Sequence, residues 1–323
     1  MNILVTGGAG YIGGTVATIL MQAGHRVAVL DNFCHSKRQE LPHGAEFVEC
    51  DIADRPRVER VLHEMRPDGV MHFAALIEAG ESMQKPEIYF RNNTASTLAL
   101  LEAMQATNIN KLVFSSTAAV YGEPVSVPIN EMAALQPTNA YGESKLLVEY
   151  MLRWFNRIHG LRYASLRYFN VAGALPGRGE AHEPETHIIP LILDVALGRR
   201  DKIMIFGDDY DTPDGTCIRD YIHVTDLAAA HILALEALNS RNHIVCNLGN
   251  GQGFSVKEVI EAARKVTGHP IPIEIRPRRP GDPARLVASS SLAQRELRWK
   301  PQIPEIERIL ASAWSWHQQH YAK

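Results

Sequence analysis

The stretch Asn2-Ile3-Leu4-Val5-Thr6-Gly7-Gly8-Ala9-Gly10-Tyr11-Ile12-Gly13 decides the fold. Residues 2–6 predict a buried strand, the glycines at 7, 10 and 13 predict a tight turn, and a helical pattern follows. This combination lets backbone N–H groups approach a pyrophosphate, to which the helix dipole adds a favourable potential. The alternative is a glycine turn that serves only the packing of strand against helix.

An acidic residue closes the second predicted strand. Asp31 stands where a carboxylate can hold the ribose hydroxyls of an adenine dinucleotide, and Asn32 follows it. An acid at this position favours NAD over NADP. Asp51 and Ile52 come after the third predicted strand, where a doubly wound fold meets the adenine, although Asp51 could equally cap the next helix.

Short β-rich runs alternate with helical patterns along the first half of the chain. Their apolar character suits parallel strands covered on both faces, so we predict an α/β fold with a Rossmann doubly wound parallel sheet. The predicted strands are 2–6, 26–30, 46–50, 69–73, 111–115 and 163–167.

The sequence changes in character after about Val171, where a Gly-, Pro- and Glu-rich stretch begins. We predict a first domain over 1–172, to which 223–248 returns with a helix and a strand. A smaller second lobe is then formed by 173–222 and 249–323.

Composition excludes several classes of protein. The chain has 323 residues, 46% of them hydrophobic, and a net charge of −3, so no overall positive field attracts nucleic acid. Its apolar runs are too short to span a membrane.

Four separated cysteines suggest reduced thiols, and with no export signal in view we expect a cytoplasmic protein.

A phenol and an ammonium stand four residues apart in Tyr141-Gly142-Glu143-Ser144-Lys145. On a helix that begins near Pro137 and Thr138, both project from the same face. A phenol titrates near pH 10, and lowering its pKa towards 7 requires about 4 kcal/mol of preferential stabilisation of the phenolate. Thr117, at the carboxyl end of a predicted central strand, could relay a proton to it.

The motifs together resemble one known family, the extended short-chain dehydrogenase/reductases, and within it the branch that acts on carbon four of UDP-hexoses. The resemblance covers nearly the whole chain. The motifs that carry it are Thr6 to Gly13, Asp31-Asn32, Ser115 to Thr117, Tyr141 with Lys145, Arg167 to Asn170, Ile205 to Gly207, Arg219 to Val224, Asn247 to Gly249 and Arg278-Arg279-Pro280-Gly281-Asp282.

The resemblance implies a set of functional residues, with Tyr141 as catalytic base, Lys145 as the residue that tunes it and Thr117 as the assisting hydroxyl. For NAD it implies Gly7, Gly10, Tyr11, Ile12, Gly13, Asp31, Asn32, Ser36, Asp51, Ile52, Phe73, Ala74, Ala75, Asn93, Tyr141, Lys145 and Tyr168. For the UDP-sugar it implies Thr117, Asn170, His187, Ile188, Phe206, Arg219, Tyr221, Arg279, Asp282 and Leu286.

The implied reaction is a redox-neutral inversion at carbon four that interconverts UDP-glucose and UDP-galactose through a 4-keto sugar. Three residues depart from the pattern of many members. Ile77 stands where many members carry a lysine, so we expect weaker NAD retention. His187 stands where some members use an asparagine, and Leu286 where some have a larger tyrosine, so we expect a sugar pocket that could admit an N-acetyl group. A dehydratase is disfavoured, because Ala118 and Ala119 stand where its acids would be.

Two other readings stay open: an epimerase for UDP-N-acetylhexosamines, and a non-catalytic NAD-binding regulator on the same fold. No metal site is predicted, because none of the 14 histidines shows HExxH or related spacing. A homodimer is expected through apolar faces of two helices, with sheet covering as the alternative. These faces consist of Leu98, Leu101, Met104, Leu147, Tyr150, Met151 and Trp154.

Overall fold

The computed structural model describes residues 1–279 and 281–321. Three residues lie outside the described ones: Pro280, which belongs to the motif Arg278 to Asp282 (the arginine motif), and residues 322 and 323 of the predicted second lobe. The strands are β1 Asn2–Thr6, β2 Arg26–Asp31, β3 Glu46–Glu49, β4 Gly69–His72, β5 Lys111–Thr117, β6 Arg162–Tyr168, β7 Asn170–Ala172, β8 Ile203–Phe206, β9 Ile218–His223, β10 His243–Leu248, β11 Gly253–Ser255, β12 Ile273–Arg276 and β13 Arg285–Leu286.

Helices fill most of the gaps between the strands. They are α1 Tyr11–Gln22, α2 Arg55–Met65, α3 Ala79–Ser82, α4 Pro86–Tyr89, α5 Ser96–Ala106, α6 Ala140–His159, α7 Ile188–Ala196, α8 Val224–Ala237, α9 Val256–Thr267, α10 Ser291–Leu297 and α11 Ile306–His320. Short 3-10 turns cover Arg38–Glu40 and Ala118–Tyr121, and a π-helical segment, Phe90–Ala95, leads into α5.

The central sheet has seven strands in the order β10-β6-β5-β4-β1-β2-β3, and each neighbouring pair is parallel. Its inner strands are buried on both faces, as Ile3, Leu4 and Val5 show, and this explains why they read as continuous apolar runs. The predicted doubly wound sheet is confirmed. The order reverses between β1 and β4, where open sheets of this kind bind their ligands.

A second core lies outside the central sheet, among α7, α9 and α11. Beside it, β9 pairs with β7, β11 and β13, and β8 pairs with β12. The segment that the sequence predicts to return does so as α8 and as β10, which pairs with β6. In one respect the structure differs from the predicted division: α10 and Trp299 pack in the core of the central sheet, although they fall within 249–323.

Helix α6 begins at Ala140, slightly later than Pro137 and Thr138 predict. Asn139 decides the start, because its side-chain oxygen accepts the backbone N–H of Gly142 at 2.8 Å and satisfies one of the free donors of the first turn. Gly160 ends the helix in the left-handed conformation with φ of +69°. Tyr141 therefore lies in the first turn of α6 and Lys145 one turn later.

Candidate active site

The glycine turn between β1 and α1 is tight, and close backbone approach explains its glycines. A Cβ on Gly13 would lie 2.4 Å from the Gly7 carbonyl oxygen, and one on Gly7, whose φ is +69°, would lie 2.5 Å from the backbone nitrogen of Ala74. A Cβ on Gly10 would meet only the Gly7 oxygen, at 3.4 Å. The turn thus packs against the loop after β4 and stays open at Gly10, as a dinucleotide phosphate requires.

The Asp31 carboxylate is fixed at the end of β2. It accepts hydrogen bonds from the backbone N–H groups of Ala9, at 3.0 Å, and Phe33, at 2.9 Å, and from the Ser36 hydroxyl at 3.0 Å. These contacts join the acid to the glycine turn and to Ser36. The residues fit an adenine dinucleotide, since the acid and the turn form one rigid unit.

The predicted adenine side is also assembled. Asn32 Nδ2 donates to Asp51 Oδ2 at 2.9 Å, and the next residue, Ile52, is buried. Asp51 does not cap the next helix, because Asp54 is the N-cap of α2 and accepts from the Arg57 N–H. Asp51 instead accepts the Ala53 N–H at 2.8 Å, which shapes the loop after β3.

Asn93 organises the loop after β4 that carries Phe73, Ala74 and Ala75. Its side-chain oxygen accepts the Leu76 N–H at 2.8 Å, and its Nδ2 donates to the Leu76 carbonyl at 2.9 Å and to Ser144 Oγ at 3.0 Å. Both ends of the buried amide are therefore in use. Asn93 links this loop to α6, and half-buried Ile77 follows in the same loop.

Tyr141 and Thr117 come together at the carboxyl end of β5. Burial raises the pKa of the Tyr141 phenol to about 12, with a smaller contribution from Glu78, while a hydrogen bond from Thr117 opposes the rise. Ala118 and Ala119 follow Thr117 directly. The phenol therefore needs an added positive charge before it can act as a base near neutral pH.

Lys145 is buried and donates to the Ser115 carbonyl oxygen at 2.9 Å rather than to the Tyr141 phenol. Its burial lowers its pKa to about 7. The Ser115 hydroxyl in turn bonds the Tyr168 hydroxyl, and burial raises the pKa of Tyr168 well above its usual range. Lys145, Ser115 and Tyr168 thus form one connected group beside Tyr141.

The small sheet gathers four of the predicted substrate residues on one face. In register, Asn170 of β7 pairs with Tyr221 of β9, and Leu286 of β13 pairs with Arg219 of β9. Alternate residues of a strand share a face, so Arg219 and Tyr221 point to the same side, and their parallel partners do too. This register was not visible in the sequence.

Two predicted arginines of the second lobe contact other predicted residues. Arg219 forms an ion pair with Asp282, and the Arg279 guanidinium lies 4.0 Å from the centroid of the Phe206 ring. Arg278 instead pairs with Asp209 at 2.6 Å. Two residues of the 278–282 motif, Arg279 and Asp282, thus each contact another predicted residue, Phe206 and Arg219 respectively.

Two more predicted residues lie at the junction of a loop and α7: His187 is the N-cap that ends the loop, and Ile188 is the first residue of α7. Burial alone would lower the pKa of His187, but the carboxylates of Glu180 and Glu185 raise it to about 9. Further back, the Tyr11 hydroxyl donates to the Gly173 carbonyl at 2.6 Å, while Ile12 packs against the first core. The loop therefore reaches from the glycine turn to the start of α7.

Residues 3–249 match the family described as the NAD dependent epimerase/dehydratase family. The chain belongs to this family. Among curated relatives, the UDP-glucose 4-epimerase of Corynebacterium glutamicum is 52% identical over 315 residues, which cover 98% of this chain and 95% of the relative.

Solved structures of the family superpose closely on the chain. A crystal structure of a UDP-glucose 4-epimerase has a TM-score of 0.97 at 51% identity and covers 99% of this chain and 98% of the other. The Bifidobacterium longum UDP-glucose 4-epimerase, solved with NAD+ and UDP, has a TM-score of 0.94 at 41% identity with 99% of each chain covered. The UDP-Glc/GlcNAc 4-epimerase of Campylobacter jejuni has a TM-score of 0.86 at 42% identity, with 98% of this chain and 99% of the other covered.

Several residues of this epimerase/dehydratase chain escaped sequence reasoning. Glu149, two turns after Tyr141, accepts from Ser116 Oγ at 2.6 Å and pairs with Arg167. Arg178 hydrogen-bonds the Gly10 carbonyl at 3.4 Å and thus contacts the glycine turn from the second lobe. Glu149 lies four residues after Lys145, and this helical spacing could have indicated that it shares the face of α6 that carries Tyr141 and Lys145. No sequence pattern around Arg178 indicates its contact with the glycine turn.

The predicted partner face is only partly exposed. Leu101 and Met104 are buried in the core beneath the central sheet, so their assignment to a partner face is wrong and they cover the sheet instead. Leu98, Tyr150 and Trp154 are exposed. No helix among residues 1–279 and 281–321 combines the length and apolar character needed to cross a membrane.

Proposed function

We propose that the chain is an NAD-dependent 4-epimerase that interconverts UDP-glucose and UDP-galactose. One observation carries the proposal: Tyr168 pairs with Thr117 across β5 and β6, and Asn170, two residues on, pairs with Tyr221. The short segment from Tyr168 to Asn170 thus connects the strand that carries Thr117, next to Tyr141, to the face of the small sheet that carries Arg219. This arrangement suits a substrate with a reacting sugar at one end and a charged nucleotide at the other.

The proposed division of labour follows the two predicted parts of the chain. Residues 1–172 and 223–248 hold the dinucleotide, and the remaining segments hold the UDP-sugar, with α10 packed on the first part. NAD, when bound, supplies the acceptor and donor of hydride. The glycine turn and Asp31 hold its phosphates and adenosine ribose, while Lys145 and Tyr168 lie where its nicotinamide end is expected.

Tyr141 removes the proton of the sugar 4-hydroxyl and later returns it, with the Thr117 hydroxyl as the short relay between them. A 4-keto sugar forms between these two proton transfers. The pKa of about 12 means that Tyr141 must be helped into its phenolate form. Lys145 supplies that charge in its protonated form, which a pKa of about 7 leaves partly populated at neutral pH. It lies one turn away, and a modest movement of its flexible side chain brings its charge closer.

The nucleotide half is proposed to remain bound throughout. Arg219 and Arg279 bind the diphosphate through charge-assisted hydrogen bonds, for which Arg219 must exchange Asp282 for phosphate. Asn170, Tyr221 and His187 complete the grip. A tightly held diphosphate lets a loosely held keto sugar turn over and present its opposite face, which is what inversion at carbon four requires.

Product analysis tests the proposal directly. Purified protein is incubated with UDP-galactose without added NAD, and again with NAD, and the products are separated by chromatography. Formation of UDP-glucose, abolished in Tyr141→Phe, is the expected result, and a need for added NAD would trace to the missing lysine at Ile77. Absence of conversion in both conditions would favour a non-catalytic NAD-binding role, and full turnover by Tyr141→Phe would refute the assigned base.

A second substrate class is favoured by one residue. Leu286 lies in register with Arg219 and is smaller than the tyrosine that the resemblance places there, so we propose that UDP-N-acetylhexosamines also enter the pocket. Incubation with UDP-N-acetylgalactosamine tests this. Conversion that is lost in Leu286→Tyr, while UDP-galactose is still converted, is the expected result.

We further propose a homodimer and a cytoplasmic location. Exposed Leu98, Tyr150 and Trp154 on α5 and α6 support the dimer, and light scattering that gives one chain per particle at micromolar concentration would refute it. The free state of Cys34, Cys50, Cys217 and Cys246 supports a reducing compartment, which cell fractionation tests.

A further inference from the structure

Four potential metal ligands come together in the loop that leads into α7. They are Glu180, His182, Glu185 and His187, which we call the loop cluster. One donor atom from each lies within 4.8 Å of every other. His187 Nδ1 lies 2.8 Å from a Glu185 oxygen and 3.1 Å from a Glu180 oxygen, and His182 Nδ1 lies 3.4 Å from that same Glu180 oxygen.

Two polar atoms of the loop cluster lack a well-aligned hydrogen bond. His182 Nδ1 and Glu185 Oε2 are both buried, and neither forms a hydrogen bond with any described residue, although His182 Nδ1 lies within ion-pair distance of Glu180, at 3.4 Å. A buried polar atom without a partner costs free energy, and the cost grows when the group belongs to a carboxylate. Glu180 is itself only 9% exposed, so its charge requires a counter-charge, and in the metal-free loop the His187 ring 3.1 Å away provides it.

We propose that Glu180, His182, Glu185 and His187 bind one divalent transition-metal ion, with Zn²⁺ the best fit to this set of donors. Imidazole nitrogens and carboxylate oxygens are both ordinary Zn²⁺ ligands, whereas Mg²⁺ and Ca²⁺ prefer oxygen alone. Zinc bonds of roughly 2.0–2.2 Å place tetrahedral ligand atoms about 3.5 Å apart. The most widely separated donors, which lie no more than 4.8 Å apart, need to close in by about 1 Å, while the His187 and Glu185 donors at 2.8 Å need to open slightly. Side-chain rotation in a loop allows both movements.

The ion would supply what the unpartnered atoms lack. It would take both the free Nδ1 of His182 and the free oxygen of Glu185, and it would neutralise the two carboxylates. Four protein donors leave no open position for a reactant, so the site is structural. Coordination through Nδ1 also fixes the His187 tautomer, which leaves Nε2–H as a donor for other contacts.

The position of the loop gives the ion a mechanical role. The same loop contacts the first domain through Arg178, which bonds Gly10, and through the Thr186 hydroxyl, which donates to Glu78 at 2.8 Å. Its far end begins α7 in the second core. An ion bound by residues 180 and 187 would cross-link this part of the loop and so restrict the motion of the segment that connects the two cores.

Isothermal titration calorimetry of the NAD-loaded enzyme, first freed of metal with a chelator, tests the proposal with ZnCl₂. We expect one Zn²⁺ per chain, and at least a tenfold loss of affinity in His182→Asn and in Glu185→Gln. The matched controls are His63→Asn and Glu64→Gln, an exposed pair on α2, and they should bind as the wild type does. Equal binding by cluster and control variants, or no stoichiometric Zn²⁺ in the wild type, would overturn the proposal.

A measurement without variants guards against misfolding. X-ray absorption at the zinc edge of the wild-type enzyme, loaded with one equivalent, should report two imidazole rings and two oxygen ligands. A thiolate ligand, or a shell of water alone, would show that the ion lies elsewhere and would refute the assignment. MgCl₂ in place of ZnCl₂ should give no comparable binding heat.

Discussion

Glu149 and Arg167 form a buried ion pair directly behind the candidate catalytic residues. Arg167 Nε donates to Glu149 Oε1 at 3.0 Å, and the same carboxylate accepts from the hydroxyls of Ser116, at 2.6 Å, and Ser165, at 2.9 Å. Glu149 lies on α6 two turns beyond Tyr141, and Ser116 precedes Thr117. The pair therefore fixes the helix that carries the phenol against the strand that carries the hydroxyl.

We predict that Glu149→Gln destabilises the protein by about 3–5 kcal/mol, because it leaves the buried Arg167 charge without its counter-charge. The substitution should also loosen α6 against β5 and so disturb the relative position of Tyr141 and Thr117. We therefore expect kcat to fall by a larger factor than KM rises. Denaturant unfolding and steady-state kinetics measure the two effects. The matched control is Glu46→Gln, which breaks an exposed pair with Arg26 and should cost less than about 1 kcal/mol; equal losses in the two variants would contradict the assigned role.

The glycine turn offers a second prediction. In Gly13→Ala the new methyl group would lie 2.4 Å from the Gly7 carbonyl oxygen, a backbone atom that cannot move aside without opening the turn. NAD affinity should fall at least tenfold, as measured by fluorescence titration. Gly80→Ala is the control, because nothing lies within 4 Å of the added Cβ there, and its NAD affinity should stay at the wild-type value.

Local sequence patterns predict the first half of this candidate site, whereas contacts between distant parts of the chain determine the rest. Gly7, Gly13 and Asp31 could be predicted because strand, turn and helix follow one another in the chain, and the turn itself brings Asp31 to Ala9. Arg167 could not be assigned to Glu149, because they lie on different elements and only the fold joins them. Nothing in single-sequence spacing indicates which partner a buried charge finds.

Helix faces and loops set the other limits. The apolar pattern of α5 could not tell residues that cover the sheet from residues that face outward, so Leu101 and Met104 were wrongly assigned to a partner face. In the loop cluster, His182 and His187 approach Glu180 only because the loop folds back on itself. Such irregular backbone has no periodicity from which side-chain directions can be predicted.

Asp220 supports the third prediction. Its buried carboxylate accepts the backbone N–H groups of Asn250 at 2.8 Å, Gly251 at 3.0 Å and Ala288 at 3.0 Å, and thereby fastens two loops to β9. Asp220→Ala leaves three backbone donors without their acceptor, of which the Ala288 N–H is buried, and should cost about 1–3 kcal/mol in unfolding free energy. Because Arg219 and Tyr221 flank this residue, KM for the UDP-sugar should rise too. Exposed Asp201→Ala serves as the control and should change neither quantity.

Lys145 makes the stability of the NAD-free enzyme depend on pH in a definite direction. Burial lowers its pKa from 10.5 to about 7 in the folded chain, so between these values the unfolded chain carries a proton on Lys145 that the folded chain lacks. The contribution of Lys145 to the free energy of unfolding therefore rises with pH across that window, by about 1.4 kcal/mol per pH unit. Below pH 7 the buried ammonium is charged, and its full desolvation penalty destabilises the fold. The stability difference between the wild type and Lys145→Met should follow this slope, whereas the difference between the wild type and exposed Lys265→Met should stay constant with pH. Urea unfolding from pH 7 to 10 measures the difference, and parallel curves for the wild type and Lys145→Met would mean that the ammonium stays charged inside the fold.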